Sequence, residues 1–485
     1  MVNNFYSLNT EIGKKVWGFN PSRDIKAGHF ANAFFRAITG NNGNIDLLLK
    51  AASAYRRGTS ITSNEVLLKS LKDLYYTDEN REEDELLNKV DELRTALDLV
   101  FNQDSGLFKG ASKSFSSLTL SHPSMISGDH SDNETGKFIA KLLVSDVNNQ
   151  SVDIIRKKLI DTNDSIYLLA SPMIQEIELG VPTNTDDNTQ NLISEAPYLK
   201  NLQASFETLS KYANRLEKTV FLQKVVTLGY LSLFIHLLNR HQDSRGLIPI
   251  FLVSVDPTKE GRDASRVAFI KGRQNIKNAF ETGVKDYFSN KFGSNLSKQD
   301  YINQMKVLLP DYSLNNTKDI TIWNHFINNF EGSLVCTSNV DDAFASAYTR
   351  TAFAFYNQSD SPETTATFIG RNVGLVYPRE SGRGEKYFIP NSRFLDALVA
   401  ALILPDEEIP VEEFWQRAKD NFGIVVGAGG TADTSYLNLW GIRQISPKQA
   451  AANAKEINSQ LKKMGYVTEY ADEIAMIKGD DSSHE

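Results

Sequence analysis

Apolar residues recur every three or four positions over most of this chain, the spacing of helices with one buried face. Leu67, Leu68, Leu71, Leu74 and Tyr75 follow it, as do Leu86, Val90, Leu93, Leu97 and Val100. The acidic stretch Asp78–Glu85 between them reads as a solvated turn or helix start. Helical or mixed periodicity returns over Phe138–Val147 and Val152–Leu169. Tyr198–Asn239 reads as one or two long helices, and Arg262–Phe292 as another, with Gly272 marking where it would break. Strand signals are few. Leu247–Val255 is a β-branched apolar run ending at Asp256-Pro257, and it fits a buried strand. Gly370–Pro390 reads as a hairpin whose apolar arms, NVGLVYP and EKYFIP, flank the turn-like RESGRG. The predicted class is mainly α with minor β, an α+β chain of several domains.

Two polar stretches punctuate this pattern. Residues 104–135 are rich in Ser and Gly, a loop long enough to be mobile or functional. Gly180–Pro197 is dense in Pro, Asn, Asp and Thr and reads as a linker. A chain of 485 residues is expected to form about two to four domains. The expected division is a mostly helical domain over 1–180, a linker at 181–197, a central helical domain over 198–369 with the strand at 247–255, and a C-terminal region over 370–485.

That last region holds the clearest local signals. Ser446 precedes Pro447, and Gln449 stands at the third helical position, a capping-box start with proline at the first turn. The helix is expected to run to about Met464, with Gly465 ending it. Ala450, Ala454, Ile457, Leu461 and Met464 form one apolar stripe, and Lys448, Lys455 and Lys462 fall opposite, with Ala452 and Ser459 between them. Upstream, Phe394, Leu395, Leu398 and Leu402 would make a first helix, and Val411, Phe414, Trp415, Ala418 and Phe422 a second. Downstream, YVTEYADEIAMIK places two apolar runs around Ala471-Asp472-Glu473. From Asn391 to Lys478 this order resembles a winged helix-turn-helix, departing from it in the long Gly423–Ile445 insertion. The resemblance implies a small module that recognises nucleic acid or another protein. Small and basic residues on the outer stripe suit a phosphate backbone. Glu456, Glu469, Asp472 and Glu473 offset part of that charge, so a packing or protein-docking role stays open.

Composition narrows the setting. Hydrophobic residues make up 41% and charged residues 23%, so several cores can form and disorder is not expected. The net charge of −8 argues against a surface coated in basic charge but leaves room for a local basic face. The single cysteine, Cys336, excludes a disulfide within the chain and a cysteine zinc site; in SLVCTS it reads as a small buried hydrophobe. The opening MVNNFYSLNTEIGKKVWGF has no signal-peptide pattern. Val220–Leu238 is interrupted by Lys224 and diluted by polar residues, so it reads as a buried core helix rather than a membrane span. A cytoplasmic setting is expected.

Other candidate chemistry is sparse. Arg371, Arg379, Arg383, Lys386 and Arg393 interleave with Tyr377, Tyr387 and Phe388, a pattern that suits phosphates and stacked bases or a solvated turn. Arg262, Arg266, Arg273 and Lys277 cluster on one side of a helix, as an anion cleft or as a salt-bridge network with Asp256, Glu260 and Asp263. His122, Asp129, His130, Asp132 and Glu134 are metal-ligand types without a recognised spacing, so no metal and no cofactor is expected. His29, His236 and His325 read as core or edge histidines. Gly427-Ala428-Gly429-Gly430-Thr431-Ala432 matches the dinucleotide fingerprint in letters only, and a flexible turn is preferred. No phosphate loop of the P-loop type occurs. The leading functional expectation is a non-catalytic binding or scaffold subunit of a larger bacterial assembly, contacting protein partners and, through the C-terminal module, DNA. Genome defence or DNA processing would suit such a subunit. The rival is an enzyme whose site joins the 256–277 segment to the 122–134 loop.

Overall fold

One helix, apolar on every side, organises the molecule, as its sequence KTVFLQKVVTLGYLSLFIHLLN dictates. In this computed structural model the described residues are 5–21, 25–40, 88, 122–123, 126, 134–162, 179–241, 244–309, 317–355, 361–379, 385–470 and 474–479. The leucine-rich helices expected between 67 and 100 and most of the 104–135 loop lie outside them. Helices α1 (Phe5–Trp17), α2 (Ala27–Thr39), α3 (Thr135–Val144), α4 (Ser151–Leu159), α5 (Asp187–Glu195) and α6 (Tyr198–Ser210) precede the central α7 (Lys218–Asn239). Its most apolar window is 89% buried. The chain is mainly α with minor β.

Each polar group that α7 carries into the core has a partner, because an unsatisfied one would cost about 1–3 kcal/mol. Ser232 and Asn239 donate back to the carbonyls of Leu228 and Ile235. His236 lies between Tyr198, whose hydroxyl is 2.8 Å from Nδ1, and the Trp17 carbonyl, 3.0 Å from Nε2. A carbonyl only accepts, so Nε2 carries the proton and Nδ1 accepts from Tyr198. Burial and the nearby Arg240 charge lower the His236 pKa to about 3, so the ring is neutral. Gly229 lets Phe30 pack against the α7 backbone; a Cβ there would lie 2.4 Å from the ring.

After β1 (Ile250–Phe251), helix α8 (Lys259–Phe292) runs unbroken for 34 residues. The break expected at Gly272 does not occur. That glycine allows a close crossing with α7, where a Cβ would meet Leu238 at 2.9 Å. The far end of α8 packs with α9 (Lys298–Leu308), α10 (Thr317–Cys336) and α11 (Val340–Phe355) around Phe288, Tyr301, Phe326, Phe330 and Phe344. Within α10, Ile322, Phe326, Phe330 and Ser333 face inward. Cys336 falls on the other side and is exposed, which corrects the buried placement read from SLVCTS.

Helix α12 (Pro362–Val373) precedes β2 (Val376–Tyr377) and β3 (Tyr387–Phe388), which pair antiparallel. The hairpin is therefore shorter than the expected 370–390, and Arg371 belongs to the last turn of α12 rather than to a strand. The 247–255 run is also shorter as a strand. Only Ile250 and Phe251 pair, in parallel, with Ile424 and Val425, while Leu252 bridges to Phe388.

The C-terminal region contains α13 (Ser392–Leu402), β4 (Glu408–Pro410), α14 (Val411–Phe422), β5 (Ile424–Val425), α15 (Thr431–Leu439), α16 (Pro447–Lys463), β6 (Val467–Glu469) and β7 (Ala475–Lys478). Strands β4, β7 and β6 form an antiparallel sheet in that order. Half of the stretch read as a linker is α5, capped by Asp186, whose side chain accepts from the Thr189 N–H. Buried hydrophobics form one cluster from Phe5 to Ile477, continuous across the expected domain boundaries.

Candidate nucleic-acid interface

The geometry of α16 follows its start signal closely. Ser446 Oγ accepts from the Gln449 N–H, and Gln449 Oε1 accepts from the Ser446 N–H at 3.0 Å, with Pro447 at the first turn. Gly465, at φ +88°, follows the helix end. Ala450, Ala454, Ile457 and Leu461 are buried. Lys448, Lys455 and Lys462 are exposed, and Ser459 is half-buried beside them. Lys463 is exposed on the same side; the sequence reading passed over it, although a 100° step places it about 60° from Lys448. Among the described residues Lys462 pairs with Glu469 of β6, while Lys448 and Lys455 have no ion-pair partner.

The helix is held from behind. Asn453 Oδ1 accepts from the Ser254 N–H at 3.0 Å, and its Nδ2 donates to the carbonyls of Leu252 and Val426 at 2.8 and 2.9 Å. Trp415 of α14 donates to Asn458 at 2.8 Å. Deeper in, Lys224 of α7 pairs with Asp396 of α13, which also accepts from the Tyr466 hydroxyl. Tyr212 donates to the Ile403 carbonyl at 2.8 Å.

The insertion is ordered by these same contacts. β5 joins it to β1, and Gly427, at φ +98°, lets the turn touch α16, since a Cβ would lie 2.4 Å from the Ala450 carbonyl. The turn is thus packed rather than free. Asp433 of α15 accepts from the Gly429 N–H at 3.0 Å and from Lys419 at 3.1 Å. A carboxylate therefore occupies the place where a dinucleotide loop would hold pyrophosphate, and α15 leads into α16, not into a second parallel strand.

The other basic residues sit differently. Arg266 pairs with Glu385, and this hydrogen bond holds the Glu385 carboxyl below its ordinary range. Arg273 and Lys277 both lie on Glu363 of α12, at 3.2 and 3.6 Å. Arg262 is exposed near Tyr387. The principal neutralising acids thus come from the hairpin and α12, with Asp263 adding a weaker attraction on Arg266. On the hairpin, Lys386 donates to the Pro378 carbonyl at 2.6 Å and Arg379 is exposed. Arg383 lies outside the described residues, and Arg393 is exposed in the first turn of α13. The hairpin and α16 approach each other through successive residues: Val253 donates to the Phe388 carbonyl and Ser254 to Asn453.

His122 is buried, Glu134 pairs with Lys14 at 2.7 Å, and Asp129, His130 and Asp132 lie outside the described residues. Among the described residues no three His, Cys, Asp or Glu side chains gather as a metal site would require. His29 is buried, and His325 is exposed with its Nδ1 2.9 Å from Asn329. A cavity of about 590 Å³ opens between α1, α5, α7 and α8, lined by Lys15, Asn191, Glu195, Arg240 and Asp286 among others. None of the site residues expected from the sequence lines it, and its Arg240 is engaged by Glu195. Comparison with family models, curated proteins and solved structures returns no match.

Proposed function

We propose that this chain is a non-catalytic binding subunit of a cytoplasmic assembly, with residues 391–479 serving as a winged-helix-like reader. The order α13, β4, α14, α16, β6, β7, with β4 beside β7 in the sheet, supports the likeness. The β5–α15 insertion lies between the second and third helices of that plan and anchors the reader to β1.

The observation that carries the reading is the outward row Lys448, Lys455 and Lys462 on a helix whose opposite side is buried. Exposed lysines on a helix held rigidly from behind favour an anionic macromolecule over a neutral protein surface. An assembly that processes or defends DNA fits such a subunit. Purification of the intact protein from its native host, with identification of the nucleic acids and proteins retained, tests this. Nucleic acid should co-purify and be lost when Lys448, Lys455 and Lys462 are changed to Glu. Retention of the same partners by that variant would remove this face from the function.

A further inference from the structure

Building on that reading, we propose that the α16 face holds duplex DNA by its phosphates and reads no base sequence. Base edges in the major groove are read by Arg or Lys on guanine and by Asn or Gln on adenine; the planar groups of Arg, Asn and Gln fix a base by rigid paired hydrogen bonds, whereas the Lys ammonium is a flexible point charge that takes phosphate oxygens as readily. α16 contains no arginine. Three of its four amides are committed elsewhere: Gln449 to the capping box, Asn453 to Ser254, Leu252 and Val426, and Asn458 to Trp415. The fourth, Gln460, is half-buried and about 120° around the helix from Lys448.

What remains outward is Lys448, Lys455, Lys462 and Lys463, with Ala451, Ala452 and Ser459 among them and one acid, Glu456, at the edge beside Lys463. The first three lysines stand two turns apart, about 10 Å from one to the next. Lysine is a hydrated point charge without a planar fork, suited to phosphate oxygens whatever the base. The small residues let the helix surface approach the backbone closely. Binding of single strands relies on aromatic stacking platforms. α16 has no aromatic residue; the exposed Tyr470, its hydroxyl on Glu408 at 2.9 Å, and the exposed Tyr377 stand on a strand end and on the hairpin, not as a row along the lysines. The duplex is therefore the occupant that fits.

The test uses the full-length protein, measuring binding to duplexes of unrelated sequence, to a randomised duplex pool followed by sequencing, and to single strands over a range of salt. Affinities for the unrelated duplexes should agree within about twofold, with no motif enriched, well below the discrimination of sequence readers. Three phosphate contacts predict a loss of about fortyfold between about 50 and 200 mM salt, and the Lys448→Ala/Lys455→Ala/Lys462→Ala variant, which keeps Lys463, should remove most of that dependence. An enriched motif, or tighter binding to single strands, with the lysine dependence intact would overturn this inference while leaving the reader module standing. Absence of binding to any nucleic acid, or a salt dependence unchanged in the variant, would overturn the module reading as well. Circular dichroism of the variant separates these outcomes from misfolding, since all three lysines are exposed.

Discussion

The first half of α8 and the outer face of α16 both carry cations at helical spacing, yet among the described residues the fold pairs most of the first set and leaves most of the second without an acid. On α8, Arg266 meets Glu385 from the hairpin, and Arg273 with Lys277 meets the buried Glu363 from α12. On α16, among the described residues, only Lys462 of the three-lysine row finds a carboxylate. Spacing along a helix shows which charges share a side. Whether they stay available depends on acids that arrive from elements about a hundred residues away or next door. Cations committed to internal carboxylates tie elements together, Lys462 among them, whereas Lys448 and Lys455 keep their charge available at the surface.

The sharpest way to break this contrast is charge reversal on each side. Lys448→Glu/Lys455→Glu/Lys462→Glu should weaken duplex binding by about a hundredfold or more at moderate salt, because repulsion replaces three phosphate contacts. Arg273→Ala/Lys277→Ala should leave it within about twofold, as expected for charges already compensated. Equal losses measured by fluorescence anisotropy would erase the distinction between the two surfaces.

A second measurement asks whether both surfaces rest on one core. His236 is held neutral in the fold, with a pKa of about 3, while in the unfolded chain it returns to about 6.5. The unfolded chain then binds a proton that the folded one does not. Stability from this group is complete above pH of about 6.5 and is lost as pH falls toward 3, at about 1.4 kcal/mol per unit, or about 2 kcal/mol by pH 5. Urea melts of wild type and His236→Gln, followed by near-ultraviolet signals, should show this component only in the wild type. If the C-terminal region unfolded in a separate step with no such pH dependence, α7 would not be the shared support.

How much of this contrast was legible in the sequence depended on range. Ser446, Pro447, Gln449 and Gly465 act on their immediate neighbours, and so both ends of α16 and its buried stripe followed from local rules. The same locality misled at Gly272, where the glycine serves a crossing with Leu238, far off in sequence. Cys336 sits in an apolar run whose inward positions were fixed by Phe326 and Phe330 instead. The pairing of β5 with β1 and the roles of Glu363 and Glu385 are long-range contacts that no local periodicity encodes. The site was legible as a face, while its uncommitted state required the acids to be placed.

A smaller effect probes the compensated side directly. Glu363→Ala removes the carboxylate shared by Arg273 and Lys277; because both cations are partly exposed, the expected cost is about 1–2 kcal/mol. The variant should gain little duplex affinity if α8 faces its own fold. A gain comparable to the loss in the α16 variants would make α8 a second contact surface.

The smallest change tests the α16 side through its local frame. Ser446→Ala removes the acceptor for the Gln449 N–H, while the backbone N–H of residue 446 can still donate to Gln449 Oε1, at a cost of about 1 kcal/mol. Because Asn453 and Trp415 hold the middle of the helix, the loss should appear as fraying of the first turn, with faster amide exchange around Lys448 and little change at Lys455 or Lys462. Duplex binding should then fall only by the share that Lys448 contributes. A loss as large as that of the full lysine variant would mean that the capped turn, not the lysine row, is the element that meets the partner, and the contrast with α8 would have to be redrawn around helix ends instead of helix faces.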